Sequence, residues 1–209
     1  MSKSSYFSGQ PLYGQVIKLL DKSKVLDFSR KYGGERYVKR FDCWTHLIVM
    51  LYAVIQRFDS LREITTSLLA ETHKLGHIGI HFKIGRSTLA DANKRCSEAI
   101  FEAIYRDLYD TYRTPLSSDS RSRKTPKWMQ RLQIIDSTTI TLFSNLIFKG
   151  VGRHPKTGKK KGGIKVHTVI HANEGVPSDI KFTSAATNDS FMLKPSALSK
   201  GDIMAMDRA

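Results

Sequence analysis

The sequence predicts an α+β fold with helices first and strands second, on three observations. Up to about residue 112, apolar residues recur at three- and four-residue spacing. Between 113 and 131 a turn-rich, basic stretch interrupts that pattern. From Leu132 onward, β-branched residues crowd short runs and alternate with polar ones. The expected organisation is a helical domain over 1–115, a basic linker over 116–131 and a strand-bearing domain over 132–209. A net charge of +15 on 209 residues, with a pI near 9.9, points to a polyanionic partner. Nucleic acid ranks ahead of a membrane surface on that ground.

Taken in order, Leu12, Val16, Leu19 and Leu20 have helical spacing, as do Val25 and Phe28, and Gly33-Gly34 ends this run. Residues 41–58 predict a helix apolar on most sides through Trp44, Leu47, Ile48, Leu51, Val54 and Ile55, the centre of a bundle. His46 within it reads as a core histidine, since no second ligand lies at helical spacing. Ser60 with Glu63 forms a capping box for a helix with Leu61, Ile64, Leu68 and Leu69 on one face. Residues 73–85 read as a loop. Thr88 to Asp91 reads as another cap, opening one long helix to about Tyr112 with a stripe of Leu89, Ala92, Cys96, Ile100, Ile104 and Leu108. Arg86, Ser87 and Thr88, at the start of that helix, are candidate DNA-backbone contacts. The loop between the two helices is too long for an ordinary helix-turn-helix.

The strand-bearing part is organised by Leu132–Ile140, which reads as a buried strand carrying Asp136 where the apolar pattern gives way to hydroxyls. The run Ile203-Met204-Ala205-Met206 also ends on an acid, Asp207. Two strands each finishing on an aspartate form a candidate ligand pair for Mg²⁺ or Mn²⁺. Between them, residues 153–165 hold six cations and no acid. Arg153, Lys159, Lys160, Lys161 and Lys165 are candidate phosphate contacts, as is Arg208 beside Asp207. Ile164, Val166, Thr168 and Ile170 predict the apolar face of a strand, Asn173–Pro177 a turn, and Ile180 with Phe182 a returning strand. His167 and His171 lie roughly 13 Å apart on a strand, too far for one metal ion. Ala185 to Lys200 reads as loop and helix, with Asn188, Asp189 and Ser190 as its cap.

Cys43 and Cys96 read as reduced core residues of a cytosolic protein. The N-terminus lacks the features of a signal peptide, and the uncharged run Leu47–Ile55 is shorter than the roughly 20 residues a bilayer span needs. The expected location is cytoplasmic, in association with the nucleoid.

Ile134–Ile140, the basic loop leading to Lys165-Val166-His167-Thr168, Gly175-Val176-Pro177, Thr187-Asn188-Asp189 and Met206-Asp207-Arg208-Ala209 stand in an ordered series. With Ser60–Ile64 and Arg86–Arg95 upstream, the series resembles the bacterial insertion-sequence transposases of the DDE type, in the branch often called IS-four. The resemblance implies a ribonuclease-H-like catalytic core of three antiparallel strands, a helix and a fourth strand parallel to the first. It implies Asp136 and Asp207 as catalytic metal ligands for Mg²⁺ or Mn²⁺. It also implies double-stranded DNA as partner, both transposon ends and target, and a homodimer on that DNA. A third acid, a glutamate on a later helix, has no counterpart in this sequence. The expectation is a chain that stops partway through its catalytic domain and is weakly active or inactive alone. The competing expectation is a non-catalytic DNA-binding regulator of transposition.

Overall fold

A computed structural model describes residues 12–117, 126–141, 163–187 and 200–206. The chain divides into two compact units, Met1–Leu108 and Tyr109–Ala209.

The first unit is helical: α1 (Leu12–Ile17), α2 (Lys22–Lys31), α3 (Cys43–Gln56), α4 (Leu61–Ala70), α5 (Thr72–Leu75), α6 (Arg86–Arg95) and most of α7 (Glu98–Ser117). Side-chain caps set several starts. Asp21 accepts from the Ser23 and Lys24 amides, Asp42 from the Thr45 amide and Ser60 from the Glu63 amide. Each satisfies an amide that the helix itself leaves unpaired. The Glu63 carboxylate reaches back to the Asp59 amide at 2.9 Å, one residue before the cap. α3 is the central helix as expected, burying Trp44, Ile48, Val49 and Ala53, but its last turn turns outward and leaves Val54 and Ile55 exposed. Leu69 of α4 is exposed as well. Among the described residues no helix is long and apolar enough to cross a membrane.

Several expectations for the helices are corrected. The segment 73–85 is not plain loop, since α5 and a short 3-10 turn at Gly76–Ile78 occupy its first part. The helix beyond it is two helices, and it starts at Arg86 behind Gly85 rather than behind a Thr88 cap. The break falls at Cys96, whose backbone is extended (φ −80°, ψ 97°). The side chains on either side of that break are pinned: the Arg95 guanidinium donates to the Gly34 and Phe41 carbonyls at 2.7 and 2.6 Å. Cys96 is joined to Cys43 as a disulfide with its Cα atoms 6.4 Å apart, so the expectation of two reduced thiols is overturned. The two residues are remote in sequence, and the core brings them together. The stripe Leu89, Ala92, Cys96, Ile100 and Ile104 is nonetheless buried as expected, because the break reorients the axis without taking these side chains off the core. α7 also runs to Ser117, past the expected end near Tyr112. Pro115 removes one backbone bond, which a helix already propagated over several turns tolerates near its end.

The second unit carries a four-stranded sheet of β1 (Leu132–Thr141), β2 (Gly163–His171), β3 (Pro177–Ser184) and β4 (Ile203–Met206), in the order β3-β2-β1-β4. β1 with β2 and β2 with β3 are antiparallel, whereas β4 runs parallel to β1. The β2–β3 turn closes through the Glu174 and Gly175 amides on the His171 carbonyl, both at 3.0 Å. Gly175 takes a left-handed φ of +68° there, which suits glycine. The expected buried face of β2 is corrected. His167 and Val169 are buried, and Ile164, Val166, Thr168 and Ile170 are only half-buried. The packed face of the sheet is the one carrying Ile135, Val169 and Met204. His167 fits that face because its Nε2 lies 2.7 Å from the Thr183 hydroxyl on β3. β1 is likewise not buried throughout, since only Ile135 is deeply covered while Ile134 and Ile140 are exposed.

Candidate functional site

Asp136 sits midway along β1, opposite Thr168 of β2. It is not at the strand's end as expected, because the hydroxyl-rich run after it continues to pair with β2 as far as Thr141. Its side chain is exposed, and its Oδ1 accepts the Ser137 amide at 2.8 Å. On the other side of β1, the parallel register pairs Leu132 with Ile203 and ends by pairing Ile135 with Met206. Asp136 directly follows Ile135, and in the sequence Asp207 directly follows Met206. Asp207 itself lies outside the described residues, as do Arg208, Arg153, Lys159, Lys160 and Lys161. The cap expected at Asn188–Ser190 lies outside them too. Among the described residues no group of three or more His, Cys, Asp or Glu is placed to hold a metal ion. The donor available at β1 is a hard carboxylate oxygen, the type Mg²⁺ and Mn²⁺ take.

Alternation along the strands decides what shares a face with Asp136. Ile134, Thr138 and Ile140 do on β1, and by register so do Ile180 and Phe182 on β3 and Ile203 on β4. The large apolar members of this set are exposed, Phe182 by 67% of its surface. The acid is therefore ringed by apolar side chains on an open face. Lys165 pairs with Thr139 and so lies on the opposite face. Its ammonium donates to the Thr187 carbonyl at 3.1 Å, so the structure does not bring Lys165 to Asp136.

In the helical unit, Arg86 and Ser87 line an open cavity of about 940 Å³ with Ser60, Leu61, Arg62 and Asp91, between the first turns of α4 and α6. No side chain caps α6 behind Gly85, so the amides of its first turn are not met from within the chain by a cap. Amide donors, two guanidiniums and a hydroxyl suit phosphate oxygens. Thr88 faces a different groove, lined in part by Lys39, Arg40 and Lys83, which sequence reasoning missed. The signal lay in the run Arg36-Tyr37-Val38-Lys39-Arg40, whose cations stand next to an aromatic.

Fold and site together define a class: a basic α+β chain with a helical unit and a mixed sheet whose central strand presents an acid. Comparison with protein families narrows it. Residues 127–209 match the model of the transposase DDE domain, and residues 8–81 match a domain of unknown function (DUF4372). These matches support a DDE transposase family for the chain. No curated protein and no solved structure matches it.

Proposed function

We propose that this chain is a DNA transposase of the IS-four-like DDE branch, or a part of one, acting on transposon ends and target DNA. The observation that carries the reading is the parallel β1–β4 pairing, which ends at Ile135 and Met206, the residues just before the two aspartates. The transposase DDE match over the same segment supports it. Asp136 and Asp207 would hold Mg²⁺ or Mn²⁺, with a ribonuclease-H-like core around them. A metal held by these carboxylates would supply Lewis acidity toward an attacking oxygen and the phosphate. Asp136 contributes a carboxylate already oriented by the Ser137 amide. Arg62, Arg86 and Ser87 position DNA through backbone phosphates, which fixes register without reading bases. The homodimer on DNA and the nucleoid location belong to the same proposal.

The test uses Mn²⁺ binding followed by electron paramagnetic resonance, together with nicking of supercoiled plasmid. Mn²⁺ bound by the parent chain and lost in Asp136→Asn, with any nicking lost alongside, is expected. Equal Mn²⁺ binding by both chains, or nicking that survives the substitution, overturns the reading.

The cavity between α4 and α6 favours a second reading, a DNA-binding regulator without catalysis. Under it, Arg62→Ala with Arg86→Ala abolishes DNA binding while Asp136→Asn changes nothing measurable.

A further inference from the structure

The groove reached by Thr88 has a composition that the fold itself does not require. It is an open cavity of about 770 Å³ whose lining includes Lys39, Arg40, Lys83 and Arg95, with Asp91 as its acid. Arg95 is tied to two carbonyls and contributes its charge in place. Lys39, Arg40 and Lys83 have no acid within ion-pair distance among the described residues. At its edge stands Tyr37, a fully exposed aromatic held at a left-handed φ of +57°. A non-glycine residue in that region is strained, and here the side chain gains no burial in return. The chain thus presents an unburied aromatic at the rim of a cationic groove.

We propose that this groove binds an unpaired stretch of DNA, with Lys39, Arg40 and Lys83 on successive phosphates and the Tyr37 ring stacked on an exposed base. A positive track alone binds duplex and single strands alike. An aromatic face adds affinity only where a base is free to stack. The inference rests on the reading that the helical unit meets DNA and is independent of any metal at Asp136.

The test measures anisotropy of labelled oligo(dT) and of a fully paired duplex of equal length, both with the whole chain. Tyr37→Ala is expected to weaken oligo(dT) binding about tenfold and to leave the duplex nearly unchanged, while Tyr37→Phe keeps the parent affinity. Lys83→Ala weakens both probes and lowers the salt slope by roughly one. Tyr37→Gly separates folding from binding, because it relieves the left-handed backbone and is expected to raise Tm while losing the oligo(dT) preference. Equal loss on both probes in Tyr37→Ala, no loss at all, or tighter binding of oligo(U) than of oligo(dT) overturns the proposal. A parent chain that binds neither DNA probe at low salt overturns the DNA reading of the helical unit as well. Duplex binding with no Tyr37 effect overturns the proposal and leaves the DNA reading of the helical unit standing.

Discussion

The two units of this chain bury their apolar residues in unlike ways. In the helical unit one cluster runs from Ile17 to Ile104 and includes Ile48, Leu89 and Ile100, all almost fully covered. Among the described residues of the sheet unit, the corresponding cluster is Ile135 and Val169 with Met204 against them. On the Asp136 face, Ile134, Ile140, Ile180, Phe182 and Ile203 stay exposed instead, and Ile164 and Ile170 are half-buried. Burial on the helical scale is what offsets the entropy of ordering a chain, and the sheet shows little of it. Among the described residues, burial that favours folding is concentrated in the helical unit, and the acid-bearing face carries exposed apolar side chains. Open apolar faces of this kind are also where chains associate.

Three perturbations test that contrast, the largest first. Removing the Cys43–Cys96 bond, by reductant or as the double Cys→Ser variant, releases a loop spanning 53 residues. The chain-entropy treatment puts the loss near 4 kcal/mol, read as a lower urea midpoint for the helical signal. A midpoint that does not move would show that the helical core needs no cross-link. Next, Leu89→Ala, at a site with no exposed surface, is expected to cost about 3 kcal/mol. Phe182→Ser on the sheet should cost no more than about 0.5 kcal/mol. Equal costs at the two positions would dissolve the contrast between the units.

What the sequence made legible follows the same division. Ser60 with Glu63 announces the start of α4, and the spacing of Leu89, Ala92, Ile100 and Ile104 marks a buried stripe, because both signals are local. The end of α6 at Cys96 was not legible, since it coincides with bonds to Cys43, Gly34 and Phe41, all contributed by another part of the chain. On the sheet, the strands and their order agreed with expectation. The buried face did not: alternation identifies two faces of β2 but not which one receives a neighbour. His167 took the covered side because Thr183 meets its ring, a pairing visible only once β3 is in register. The placement of Lys165 opposite Thr139 was hidden for the same reason. In the candidate site, Asp136 was legible as an acid in an apolar strand; the groove at Tyr37 was legible only in its Arg36–Arg40 part, because Lys83 and Arg95 come from separate segments.

The smallest expected effect concerns His46. Its ring is buried in the helical core beside Phe41 and Phe101, with Nε2 2.6 Å from the Asn93 side-chain oxygen. Its Nδ1 has no partner among the described residues. Burial pushes its pKa below the ordinary 6.5, opposed by the Asn93 hydrogen bond and reinforced by the nearby Arg95 charge. The unfolded chain therefore takes up this proton at a higher pH than the folded chain does, so unfolding is favoured as pH falls. Stability from this residue is complete above pH 6.5 and declines as pH drops from there toward the depressed folded value. His46→Gln can keep a donor for Asn93 while removing the titration. The expected result is a Tm of the helical signal that falls below pH 6.5 in the parent and falls less in the variant. Parallel Tm curves for the two chains would mean that His46 accepts its proton without loss, and that this core is wetter than its burial implies.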